Sequence, residues 1–440
     1  MNIFFVSLGC DKNLVDSEEM LGALTSGGYR ITDDESKADV IIVNTCCFIH
    51  DAKEESIQTI LEMASYKEHG NCKALIVTGC LAQRYKEEIT QEIPEVDAVL
   101  GTNSQKSILE AVSKALEGKV THIFTPLEGI PDLPGKRIMT TGGYYEYLKI
   151  AEGCDKHCTY CIIPKLRGRF RSVPMDTLLN EAKDLAKRGI KELILVAQET
   201  TLYGVDISGR KQLPELLREL AKVDGIERIR LLYTYPEEIN NELIEVIKSE
   251  PKVCHYIDMP VQHASDRILK RMGRRTTNAD LRNIIMKLRC EIPDIVLRTT
   301  LITGFPGERL SDYRILKGFV RDIGFDRLGV FTYSREEGTP AAAMKGQLPE
   351  AVKKFRRNGI MKLQQRIVYE KNEAMVGREL TVCVDGRLVE DGVYVTRSYM
   401  DAPDVDGIVF VATDREMMCG DSLNVRISAA DGYDLVAEEV

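Results

Sequence analysis

Tyr145-Glu-Tyr-Leu-Lys-Ile-Ala-Glu-Gly-Cys154-Asp-Lys-His-Cys158-Thr-Tyr-Cys161 runs an apolar β-type segment straight into three cysteines spaced C-x3-C-x2-C. Three soft thiolates on one short loop suit an iron–sulfur cluster and leave one iron without a protein ligand. A zinc site would want a fourth Cys or His nearby, and none follows within about 20 residues. The alternative, three unrelated cysteines, is hard to reconcile with so tight a spacing. A strand that delivers ligands on the loop at its carboxyl end is the opening unit of a β/α barrel.

Working outward, further apolar runs at 192–197, 228–233, 254–258, 295–300 and 327–331 alternate with helical patterns such as 175–188, 214–222, 238–248, 277–290 and 310–322. Counting 145–151, these make six β/α units, the number for an open or partial (β/α)6 barrel over 144–348. Upstream, strands at 3–7, 40–44, 74–78 and 98–100 alternate with helices at 15–24, 54–65 and 83–92. That pattern predicts a doubly wound parallel sheet, an α/β unit over 1–118. Positions 119–143, with Pro126, Pro131, Pro134, Gly135, Gly142 and Gly143, read as a linker. A charged helical connector covers 349–374. Short strands at 380–384, 393–396, 408–411, 423–427 and 434–436 then predict a small antiparallel β-barrel over 375–440.

Cys10, Cys46 and Cys80 follow the first three upstream strands, 36 and 34 residues apart. In a parallel sheet the carboxyl ends share one edge, so these cysteines converge in space. The reading is a second three-thiolate site, again one ligand short. The competing reading makes each a small buried hydrophobe, the common state of a free cysteine. Cys47 adjoins Cys46, and alternating side-chain direction allows only one of the two to face the site. Cys72, Cys254, Cys290, Cys383 and Cys419 have no metal-binding spacing and are expected to pack.

Hydrophobic residues make up 44% and charged residues 29% of 440, the composition of an ordinary globular protein. No apolar run approaches the roughly 18 residues of a membrane span, and the amino terminus lacks a basic signal region. The expected location is the cytoplasm, where twelve cysteines favour metal binding over disulfides. Phosphate-loop and dinucleotide fingerprints are missing. The net charge of −9 lies wholly in residues 375–440, which hold five Arg, no Lys and fourteen acids, against 54 of each sign elsewhere. An acidic terminal barrel argues against direct nucleic-acid binding and for a basic partner.

The cysteine loop with Tyr160 before its last ligand resembles the radical S-adenosylmethionine signature. Together with Cys10, Cys46 and Cys80 and a terminal barrel of the TRAM, OB-like type, the chain resembles the methylthiotransferases over nearly its whole length. The stretches 7–18 (Ser-Leu-Gly-Cys-Asp-Lys-Asn-Leu-Val-Asp-Ser-Glu), 198–204 (Gln-Glu-Thr-Thr-Leu-Tyr-Gly), 259–263, 304–308 and 401–407 are similar to the RimO branch. Asp11 and Cys47 depart from it, where proline and glycine are usual.

The resemblance implies two four-iron clusters, on Cys154/Cys158/Cys161 and Cys10/Cys46/Cys80, and S-adenosylmethionine. The first cluster would generate a radical that takes hydrogen from the β-carbon of an aspartate in small-subunit ribosomal protein twelve. The second would supply sulfur, methylated by another S-adenosylmethionine. Tyr160, Gln198, Arg298, Gly304 and Glu308 are candidate cofactor contacts, and no side chain is assigned an acid–base role. His157 and His263 read as structural. A flavodoxin or ferredoxin would donate electrons. Sister branches modify adenosine in transfer RNA, and the acidic tail favours the protein substrate.

Overall fold

A computed structural model describes residues 1–129, 137–388 and 392–440. The first sheet contains β1 (Asn2–Ser7), β2 (Arg30–Ile31), β3 (Val40–Thr45), β4 (Ala74–Gly79), β5 (Ala98–Leu100) and β6 (Thr121–Ile123), all parallel, in order β2-β1-β3-β4-β5-β6. β3 and β4 are buried along their whole length, so both faces need cover. Ile41, Val43, Leu75 and Val77 pack under Ile60 and Leu81 on one face. Val40, Ile42, Ala74 and Ile76 pack under Met20, Leu24 and Val112 on the other. This is the doubly wound arrangement expected. β6 extends the sheet into the presumed linker, and 130–136, with Pro131, Pro134 and Gly135, fall outside the described residues.

After β7 (Tyr145–Lys149), β8 (Ala151–Glu152) and β9 (Arg171–Ser172) form a separate antiparallel pair; the central sheet is open and six-stranded, built from β7 with β10 (Glu192–Val196), β11 (Arg228–Leu231), β12 (Val253–Asp258), β13 (Val296–Thr303) and β14 (Arg327–Thr332). Its order is β14-β13-β12-β11-β10-β7, all parallel, as a partial barrel requires. A 24-residue helix, Glu350–Glu373, leads out of it, with Ile360 and Val368 buried and Gln364 Nε2 donating to Phe325 O at 2.8 Å.

Strands β15 (Glu379–Leu388), β16 (Val393–Arg397), β17 (Val409–Ala412), β18 (Ser422–Asp431) and β19 (Asp434–Glu439) close a barrel that is antiparallel apart from the parallel β17–β19 seam. This barrel docks on the amino-terminal ends of the central strands through buried ion pairs. Arg397 of the barrel, also paired with its own Asp385 at 2.8 Å, reaches Glu192 of the central sheet at 3.4 Å, and central Arg298 meets Asp406 of the barrel at 3.5 Å. Arg327 pairs with Asp401. The tail's acidity is therefore only partly a surface property: Asp401 and Asp406 face inward onto central arginines. Burial corrects two further expectations, since Cys290 and Cys419 are exposed rather than packed. Among the described residues, no helix is long and apolar enough to cross a membrane.

Candidate cluster and cofactor site

β1, β3 and β4 are adjacent, and the registers Ser7↔Asn44 and Asn44↔Thr78 bring their carboxyl ends level. Cys10 caps the helix Asp11–Ser26, Cys46 follows Thr45, and Cys80 opens the helix Cys80–Tyr85. Gly9 sits in the left-handed region (φ +97°), and a Cβ there would stand 2.8 Å from Cys46 Cβ, so only glycine lets the Cys10 loop close on Cys46. Ser56 holds Cys46 at both ends, accepting from its N–H at 3.0 Å and donating to its carbonyl at 2.8 Å. Cys46 is pushed up to about 12, first by burial and then by Cys80 and Cys10. Cys47 packs in the apolar cluster with Ile41, Leu81 and Cys80.

The second loop is pinned along its length. Gly153 (φ +81°) precedes Cys154, and a Cβ there would lie 2.1 Å from Arg169 O. Cys154 N–H donates to Gly168 O at 3.2 Å, and Thr159 N–H to Met272 O at 2.9 Å. His157 is exposed, with φ +52°. Tyr235 OH lies 3.8 Å from Cys158 Sγ, and its ring is flanked by Lys156 Nζ at 4.8 Å and the Arg274 guanidinium at 4.3 Å. Tyr160 meets Phe305 edge-on, centroids 6.5 Å apart. Burial, then Glu199 and Cys158, push Cys154 up to about 12.

One buried network joins the two thiol groups. Arg167 donates to Asp16 Oδ2 at 2.6 Å, Glu152 Oε2 at 3.2 Å and Asn13 Oδ1 at 2.8 Å, while Asn13 Nδ2 donates to Leu8 O and Thr45 O. Burial opposes the Arg167 charge, but Asp16, Glu152 and the thiols of Cys80 and Cys10 outweigh it. Asn13 thus ties the Cys10 and Cys46 loops to the barrel. The 7–18 motif held Asn13 and Asp16, but nothing in the sequence marked Arg167 as their partner.

The other candidates fall in different surroundings. Gln198 accepts from Gly153 N–H and donates to Glu152, each at 2.7 Å, so both ends of its amide orient the cysteine loop. Glu308 accepts from the N–H groups of Gly304 and Phe305 and pairs with Arg356 at 2.7 Å, while a Cβ on Gly304 would strike Lys353. These two residues therefore dock the helix Glu350–Glu373. Arg298 meets Asp258 at 3.0 Å and lines a cavity with Cys10 instead of the second loop. His263 is buried and accepts from Ala264 and Ser265 N–H groups, a structural role.

Glu199, beside Gln198, was not singled out by the sequence. It is fully buried near Cys154, its Oε2 lies 3.7 Å from Lys156 Nζ without a hydrogen bond, and burial, opposed by Lys156, pushes it up to about 7.

Among the described residues, no three His, Cys, Asp or Glu side chains converge on a single ion. A four-iron cluster makes a different demand, since each thiolate binds its own iron and the sulfurs surround a larger body. The glycine cradles at Gly9 and Gly153, which bring each cysteine loop close to its neighbours, fit such a group.

Fold and site together define a radical S-adenosylmethionine enzyme with an additional cysteine-bearing sheet. Residues 148–317 match the radical SAM superfamily, 2–101 the uncharacterized protein family UPF0004, and 376–440 the TRAM domain. The chain belongs to the ribosomal protein uS12 methylthiotransferase (RimO) family. It is 62% identical over 436 residues to the member from Lachnoclostridium phytofermentans, covering 99% of each chain. It is 52% identical to that from Acetivibrio thermocellus, covering 99% of this chain and 97% of the other. The radical S-adenosylmethionine methyltransferase TsrM from Kitasatospora setae, solved with cobalamin and a [4Fe-4S] cluster, shares the fold at TM-score 0.57. Its identity is 14%, over 77% of this chain and 76% of the other.

Proposed function

We propose that this chain adds a methylthio group to the β-carbon of an aspartate in ribosomal protein uS12, using S-adenosylmethionine and two [4Fe–4S] clusters. Cys154, Cys158 and Cys161 would hold one cluster, and Cys10, Cys46 and Cys80 the other. The observation that carries this reading is the pair of three-thiol groups, each at strand carboxyl ends and linked by the Arg167 network. When bound, these groups supply hydrogen abstraction, a sulfur atom and a methyl group.

The chain's own side chains bind, orient and shield. Glu199, held 3.7 Å from Lys156, has a carboxylate oxygen without a hydrogen-bond donor and would accept one from the amino group of S-adenosylmethionine. Gln198 and Gly153 fix the loop that presents the open iron position. Tyr160, Phe305 and Tyr235 wall the site against water. Cys46, whose backbone Ser56 holds at both ends, would be the ligand rather than Cys47. Lys165, Lys270, Arg275, Arg335 and Lys345 are exposed on segments around the loop and make no ion pair among the described residues. An acidic flavodoxin or ferredoxin fits that collar.

Transfer RNA fits less well, because the terminal barrel has the wrong sign for phosphate. The test is reaction of the reconstituted enzyme with uS12 and, separately, with transfer RNA. Mass spectrometry is expected to find an increment of about 46 Da, SCH3 for H, on one aspartate of the protein. The same increment on adenosine alone would refute the reading.

A further inference from the structure

A cavity of about 530 Å³ opens where the two sheets and the terminal barrel meet. Exposed Cys10 lines it together with Tyr145, Tyr147 and Tyr233. Two carboxylates also line it, from opposite ends of the chain. Asp11 is the residue that replaces the usual proline beside Cys10. Its side chain is 9% exposed, and Oδ1 takes Tyr233 OH at 2.9 Å and Lys12 Nζ at 3.0 Å, while Oδ2 has no partner. A buried carboxylate oxygen without a donor is costly unless a ligand supplies one. Asp404 is exposed at the tip of a barrel loop, in the left-handed region at φ +64°, with Tyr145 OH at 3.4 Å. Strain of this kind in a non-glycine residue marks a site where direction matters.

The cavity's one lining cation, Arg298, is already committed to Asp258 and Asp406. Lys12 Nζ pairs with Asp11 Oδ1 and stands 3.2 Å over the Tyr233 ring, so what remains is a tyrosine-walled space with one unmatched negative charge, at Asp404, and the donor-free Oδ2 of Asp11, the chemistry that receives a lysine or arginine side chain. Tyr147 senses both acids, since burial first and then Asp11, Tyr145 and Asp404 raise it. The walls leave the sulfur-donor side, at Cys10, open to a substrate segment.

We propose that this cavity seats the target segment and that Asp11 and Asp404 form a subsite for a lysine or arginine flanking the modified aspartate. The proposal rests on the methylthiotransferase reading and adds a selection rule to it. Short synthetic peptides with a central aspartate test it, one flanked by lysines and one by glutamines. Binding is read by fluorescence anisotropy on the cluster-loaded full chain without oxygen, and KM and kcat by mass spectrometry.

The lysine peptide is expected to bind about 10-fold more tightly at low salt, with the difference in KM rather than kcat. The double variant Asp11→Asn, Asp404→Asn should erase that preference and leave the glutamine peptide within about twofold, because asparagine keeps the shape and tolerates the left-handed backbone. Asp404→Lys should instead favour a glutamate-flanked peptide, a gain that misfolding cannot produce. A lysine preference that survives the double variant, or is unaffected by salt, overturns the subsite. Modification of whole uS12 with no binding of either peptide also overturns it. Failure of the wild-type enzyme to modify any protein counts against the proposed function, while the binding preference still decides the subsite.

Discussion

Replacing Arg397 by methionine removes the guanidinium that holds the terminal barrel to the central sheet. Arg397 is 2% exposed and reaches Asp385 at 2.8 Å, Glu192 at 3.4 Å, the carbonyl of Asp401 at 2.9 Å and the hydroxyl of Tyr144. Methionine fills much of the stem's volume, so the loss is mainly of charge. Burial raises Glu192, but Arg230 first and Arg397 next outweigh it and hold the carboxyl at about 2 against its ordinary 4.5. That depression corresponds to about 3 kcal/mol shared between the two arginines. Orphaning Asp385 adds to Arg397's part, which brings the expected loss to about 3 kcal/mol, within the range for breaking a buried pair.

The assay is urea unfolding of the full chain as a function of pH, followed by limited proteolysis of the terminal barrel. Because the folded value of Glu192 is depressed, its stabilisation is present above pH 4.5 and is lost as pH falls from there toward about 2. Wild type and variant should therefore differ most near neutrality and converge on acidification. A difference below about 1 kcal/mol at pH 7, or one that widens in acid, would refute the assignment of these charges to docking.

Three further outcomes follow from the same geometry. Gly153→Ala places a Cβ 2.1 Å from Arg169 O and adds about 1 kcal/mol or more of left-handed strain, so reconstituted iron should fall by about half while far-ultraviolet dichroism holds. Cys47→Ala should keep full iron and Cys46→Ala should not, as metal analysis will show; the reverse would exchange their roles. Neutralising exposed tail acids such as Asp414, Glu416 and Asp431 should weaken uS12 binding at low salt and leave it nearly unchanged above about 0.5 M salt, measured by titration calorimetry.

The fold was legible where burial makes sequence periodic. Continuous apolar runs became β3 and β4, and the 24-residue connector helix spans 350–373 against an expected 349–374. Short edge strands carried no such pattern: β2 is two exposed residues, and β6 is a partly exposed trio inside an apparent linker. Strand alternation also brought Cys10, Cys46 and Cys80 together, because equal position after parallel strands is a spatial statement. The candidates Gln198, Gly304 and Glu308 proved harder to read. Their motifs mark tight local geometry, and a polar residue in a turn looks the same whether it meets a ligand or its own backbone. Arg167 and Arg397 were invisible, because the partners through which they join separate domains, Asp16 and Tyr144, lie more than 150 residues away. The acidic tail conveyed its sign but not its direction, since Asp401 and Asp406 turn inward to central arginines.

The central claim is that two groups of three cysteines each hold a four-iron cluster. Iron and sulfide analysis of the chain reconstituted without oxygen, beside the triple variant of Cys10, Cys46 and Cys80 to alanine, tests it most directly. About eight irons are expected in the wild type and about four in the variant, which should still cleave S-adenosylmethionine. Equal iron in the two proteins would contradict it.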